Sequence, residues 1–396
     1  MLSDAGAAAP PREAAREPQD AALDFTPFSR PDAASPAVAG AIIRAYAPAI
    51  VGKGLEAWPE APEPLAVFLE HGVGSVTGFD LGWDFGLGEV HEALEDGRST
   101  AEGLIDTALH LLAHGVEGVW RADAGRRRPW RFGPLLLPPA RRLEAAAADG
   151  KAVLRLDDQV LRLDRDPLGW RAVSEGPVEL PWLTTGEGRP FARVLAGGGF
   201  YPFDPQYQAM LSPEAGPHFL PACQGALAQI ARAAPAYLPW VTQAVNTIVP
   251  CRAKPDTLSS GSSARMPGVV RVTEDRRPEA LLEMLVHEAS HQYFYLAGLV
   301  GVVSDPADRR LFFSPVKQSG RTIDRILLAY HAFANVEAAF AGCIAGREGD
   351  LGYYGPQFEK LIPQLDLMEQ HMLAAGSLTP LGWDLVRPLI ERRGRS

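Results

Sequence analysis

The chain has 396 residues, 46% hydrophobic and 22% charged, enough apolar material to pack one large domain or two ordinary ones. With 38 Lys and Arg against 48 Asp and Glu, its formal charge of −10 excludes a phosphate-neutralising nucleic-acid surface as its main business. Cys223, Cys251 and Cys343 are widely spaced with no C-x-x-C pair, which excludes a disulfide framework or zinc knuckle and suits reduced thiols in a cytoplasm.

Residues 1–35 are rich in Ala, Pro, Asp and Arg and read as a tail; they lack the basic and apolar regions of a signal peptide. No apolar stretch reads as long enough to span a bilayer, so no membrane partner is expected. A helix over 37–47 carries Val38, Ile42 and Tyr46 on one stripe, and Pro48 is expected to end it. A second helix covers 101–114. Between Trp120 and Leu183 the period changes to two, as in Ala152-Val153-Leu154-Arg155-Leu156 and Val160-Leu161-Arg162-Leu163, predicting short antiparallel strands in hairpins. The run Ala196-Gly197-Gly198-Gly199-Phe200 reads as a joint. It divides an N-terminal region of helices and hairpins, 36–199, from a mostly helical domain, 200–396. In the latter, helices are expected over 221–233, 239–247, 278–299 and 321–345, with a strand over 269–272. The fold class is α+β.

The helix over 278–299 contains His287-Glu288-Ala289-Ser290-His291. At 3.6 residues per turn the two imidazoles lie one above the other and can share one cation. Glu288 is rotated by about 100° and can reach a metal-bound water or a neighbouring donor. The apolar Leu282, Leu285, Val286 and Ala289 suit a helix buried beside a dry cavity. Other histidines carry less. His110 and His114 are four apart without an acidic partner and read as structural, His91 begins a solvated helix, and His71, His218 and His371 are isolated.

A third ligand is needed, and the downstream helix offers two candidates. His331 lies in a strongly apolar stretch, where an unpaired imidazole is costly. Glu337 is six residues further on and points elsewhere. His331 is the preferred choice.

Three segments together resemble the HExxH-type peptide β-hydroxylases, formerly described only as HExxH peptide-modification proteins encoded beside ribosomally made peptides. They are Thr257-Leu258-Ser259-Ser260-Gly261-Ser262-Ser263 through Val272, Leu285 through His291, and Phe312-Phe313-Ser314-Pro315 followed by 321–336. They span roughly the C-terminal third; the first 200 residues match no motif. The resemblance implies iron(II) on His287, His291 and a third ligand, leaving positions for 2-oxoglutarate and dioxygen. It also implies a precursor peptide hydroxylated at a side-chain carbon, with Glu288 in a supporting role. The far carboxylate of 2-oxoglutarate needs a cation, for which Arg321 is first choice and Lys317 second. Arg321 lies ten residues before His331, about 15 Å along a continuous helix, so the helix would have to begin after it or its side chain fold back. An extended peptide could add beside the strand over 269–272, and the hairpin region 120–183 is expected to help hold it. Two alternatives remain. One is a zinc metallopeptidase in which Glu288 activates water and His331 or Glu337 is the third ligand. The other is a peptide-binding protein whose metal site has decayed.

Overall fold

A computed structural model describes residues 24–31, 35–75, 83–166, 169–185, 188, 190–196, 211–212, 214–252 and 258–394. The chain is α+β. Among the described residues five helices come first: α1 (Thr26–Ser29), α2 (Ser35–Glu56), α3 (Glu63–Gly74), α4 (Phe85–Glu95) and α5 (Ala101–Ala113). An antiparallel meander follows, β1 (Gly118–Phe132), β2 (Leu135–Ala148), β3 (Lys151–Leu156), β4 (Gln159–Asp166) and β5 (Gly169–Ala172), with β6 (Val178–Glu179) against β2. Strict alternation of buried and exposed positions in β3 puts Ala152, Leu154 and Leu156 on the core face. Its hairpin to β2 turns at Asp149 and Gly150, both at positive φ, the geometry that matches strand twist.

A second sheet positions the motif. Its strand order is β10 (Ser260–Ser262), β11 (Val269–Thr273), β9 (Thr247–Cys251), β8 (Pro190–Val194), β7 (Trp182–Thr184). The three central strands run parallel, and β7 and β10 are antiparallel edges. Around this sheet lie α6 (Phe219–Ala233), α7 (Tyr237–Ala244), α8 (Pro278–Gly298), α9 (Ile323–Gly346), α10 (Leu351–Ala375) and α11 (Pro380–Arg393). The hairpin β12 (Phe312–Ser314)–β13 (Ser319–Arg321) precedes α9. Helix α8 is the centre: it packs on β10, β11, α6, α7 and α9, and 15 of its residues are buried.

Several expectations need correction. The tail over 1–35 is packed where described: Phe28 is fully buried, with its ring 5.1 Å from that of Tyr293 on α8. Helix α2 runs on through Pro48 to Glu56. The carbonyl that Pro48 cannot serve belongs to exposed Arg44, so no buried group is orphaned. The helix over 239–247 stops at Ala244, because Thr247-Ile248-Val249 is β-branched and enters the sheet as fully buried β9. The glycine joint, beyond Ala196, lies outside the described residues. Residue 199 is not a seam of this sheet, since β8 before it pairs with β9 after it. Among the described residues two helices, α2 and α9, are long and apolar enough to cross a membrane, contrary to the sequence reading, although two-thirds of the α9 window is buried in the protein.

Candidate metal centre

Helix α8 starts with Pro278 at its first turn and runs without another glycine or proline until Gly298. Its core faces are sealed: Leu281, Leu282, Leu285, Val286, Ala289, Tyr293 and Leu296 have no exposed surface. One stripe at four-residue spacing, Glu283, His287, His291 and Tyr295, stays partly accessible. His287 and His291 meet edge to face with ring centroids 4.5 Å apart, and Tyr295 stacks on His291 at 6.0 Å. Coordinating atoms of His287, Glu288 and His291 all lie within 4.8 Å of one another. Among the described residues this is the group able to hold a metal ion.

The electrostatics suit that role. Burial, helped by Lys317, holds His287 down at about 4. Burial holds His291 well below the ordinary imidazole range, with His287, His331, Lys317 and Arg325 adding to the shift. Both rings are therefore neutral at pH 7, with lone pairs available to a cation. His291 Nδ1 is buried and has no hydrogen-bond partner among the described residues. Glu288, 1% exposed, is pushed up to about 7 by burial, against the pull of Ser260, Ser262, Arg271 and Lys317. Its Oε2 accepts from the Ser262 hydroxyl at 2.6 Å.

His331 does not join this group. Its Nε2 lies 3.0 Å from the Phe28 carbonyl, and its ring packs 5.8 Å from Phe294. The reason is helical phase. Helix α9 turns Phe333 toward His287, ring to ring at 4.6 Å, and His331 lies two residues, about 200°, around the helix from it. His331 instead joins α9 to α1 in the core. Glu337 is no substitute, because it sits 3.5 Å from the Arg393 guanidinium. Arg321 ends β13 in an exposed position, and α9 begins after it at Ile323. Lys317, in the turn between β12 and β13, is the one of the two predicted cations whose charge acts on His287, Glu288 and His291. The decoy pair is structural: His110 Nδ1 lies 3.3 Å from Asp84, and His114 Nδ1 lies 3.0 Å from the His110 carbonyl.

No family model matches the chain, and no curated protein does.

Sequence reading missed several residues around the centre. Ser260 and Ser262 alternate in β10, placing both hydroxyls on Glu288; only the known strand pairing gives that alternation a meaning. Tyr295 was available as the next residue of the i, i+4 stripe. Arg271 and Arg325 carried no local signal. Gln292 ties the motif helix down: its Oε1 accepts from Trp83 Nε1 (3.0 Å) and the Gly268 amide (2.9 Å), and its Nε2 donates to the Val269 carbonyl (3.2 Å). This anchor sets α8 axially against β11, and so sets Glu288 against Ser262.

Proposed function

We propose that the protein is an iron(II)- and 2-oxoglutarate-dependent oxygenase that hydroxylates a side chain, at its β-carbon, of a ribosomally made precursor peptide. The observation that carries this reading is a compact His–His–carboxylate group beside cations. His287 and His291 would hold the metal, and Glu288 is the carboxylate within reach of the same ion. A donor set of two imidazoles and a carboxylate would suit non-haem iron. The bound metal would couple oxidative decarboxylation of 2-oxoglutarate to succinate and carbon dioxide with insertion of the second dioxygen atom into a C–H bond. Lys317 and Arg325, whose charges both act on His291, would supply the positive charge that a dicarboxylate cosubstrate needs. Phe333 and Tyr295 form walls that limit water around the imidazoles.

One observation favours a second reading, a zinc peptidase. A carboxyl that exchanges its proton near pH 7 suits water activation. Against it stands the lack, among the described residues, of a third ligand separate from Glu288.

The test is purification without oxygen, metal analysis, and an assay of succinate formed from 2-oxoglutarate with a candidate precursor peptide. Iron binding lost in His287→Ala and His291→Ala, peptide mass raised by one oxygen atom, and no cleavage are expected. Lys317→Ala should raise the 2-oxoglutarate requirement about tenfold or more, and Arg321→Ala far less. Peptide cleavage with zinc and indifference to 2-oxoglutarate would sink the oxygenase reading.

A further inference from the structure

Strand β10 is an edge, and its chemistry differs on its two faces. In an antiparallel pair the hydrogen-bonded positions alternate. The Thr273 amide donates to the Ser259 carbonyl at 2.9 Å, so Gly261, opposite Arg271, is the next bonded position. That phase turns the N–H and C=O groups of Ser260 and Ser262 outward, where no strand pairs among the described residues. The side chains of Ser260 and Ser262 face Glu288. Gly261 faces the other way and leaves room for Arg271: a Cβ there would lie 2.5 Å from the Arg271 Nη2. The guanidinium thus crosses the edge strand where a side chain would otherwise stand. Its charge still reaches Glu288 and Tyr295, and the charges of Lys317 and Arg325 also act on the centre. Such a concentration of cations is unusual in a chain of formal charge −10.

We propose that β10 takes an extended acidic peptide segment as an additional strand, with an Asp or Glu side chain opposite Gly261 paired with Arg271. This rests on the reading that the substrate is a peptide. Alternation of side chains then sets the register. A residue opposite Ser262 points toward His287 and His291, and its neighbour in sequence points toward Arg271. The modified residue is therefore flanked by an acidic one. Main-chain hydrogen bonds to Ser260 and Ser262 supply sequence-independent affinity, and Arg271 supplies selection by charge.

The experiment is binding, followed by fluorescence polarisation on the full chain without metal or 2-oxoglutarate, so that its outcome is separate from hydroxylation. The probes are dye-labelled octapeptides of alternating alanine and glutamate, alanine and glutamine, and alanine and lysine. The glutamate peptide should bind at least about tenfold more tightly than the glutamine one. Arg271→Glu should reverse the preference toward lysine. Arg271→Gln, a milder change should the reversal fail to fold, should bind the glutamate and glutamine peptides alike. Equal binding by the wild type, or an unchanged preference in a folded Arg271 variant, overturns the proposal. If succinate formation fails while the charge reversal holds, the oxygenase reading falls and the acidic strand site stands.

Discussion

Glu288 is a buried carboxyl whose proton is still exchanged near neutral pH. Burial raises its carboxyl from an ordinary 4.5 to about 7, so the folded protein holds this proton more firmly than the unfolded chain. The associated stability is complete below pH 4.5 and lost as pH rises through 7. A shift of this size corresponds to about 3 kcal/mol on the scale of 1.36 kcal/mol per unit. Glu288→Gln, which keeps the shape, is therefore expected to stabilise the metal-free protein by up to that amount at pH 8. The gain should vanish towards pH 4.5. Denaturant titrations at the two pH values, with a chelator present, measure it. A gain of equal size at both values would mean that ionisation of Glu288 is not its origin.

Among the elements, α9 shows how one helix serves two purposes by phase alone. Its Phe333 side packs on His287 of the candidate metal centre, and its His331 side closes the core against α1. Replacing His331 with alanine removes the partner of the buried Phe28 carbonyl and leaves a cavity. Together these should cost about 2–4 kcal/mol. The variant should nevertheless bind metal with an affinity close to wild type when assayed well below its melting temperature. Calorimetry and metal titration separate the two effects. Loss of metal without loss of stability would restore His331 as a ligand. The i, i+4 pair itself was legible because both imidazoles sit on one continuous helix and need no tertiary information. Whether α9 adds a donor was not legible, because the sequence pattern of α9 alone does not say which of its faces meets α8.

Across the whole molecule, the N-terminal half is welded to the motif helix by buried polar groups. Asp84 caps α4 at the Gly86 amide (3.0 Å) and lies 3.3 Å from Arg193 on β8 and 3.4 Å from Arg131 on β1. Arg131 also pairs with Asp106 on α5, and the neighbouring Trp83 donates to Gln292 beside His291. His110 lies in this cluster as a neutral ring 3.3 Å from Asp84, because burial lowers it to about 3 despite the adjacent carboxylate. The unfolded chain takes up its proton near 6.5, so stability is lost as pH falls below that value. Between pH 6.5 and pH 5 this one group should withdraw about 2 kcal/mol. His110→Gln should flatten the stability profile in that window, as read by denaturant midpoints. An unchanged slope would show that other groups govern acid unfolding.

By itself the sequence determined the local, periodic features. The alternation of β3 and β4, the apolar run of α5 and the two-histidine stripe of α8 each follow from a spacing that one element imposes on its own side chains. The grouping of His287, Glu288 and His291 on one helix was legible for the same reason. Tertiary structure decided what periodicity does not encode. Helix phase kept His331 out of the group, and the β12–β13 hairpin leaves Lys317, not Arg321, as the predicted cation whose charge acts on it. Strand order made β10 an edge and set Ser262 against Glu288. It also joined β8 to β9 across the expected domain boundary. Those relations depend on which faces meet across long stretches of chain, and burial of apolar surface, which is indifferent to sequence distance, selects them.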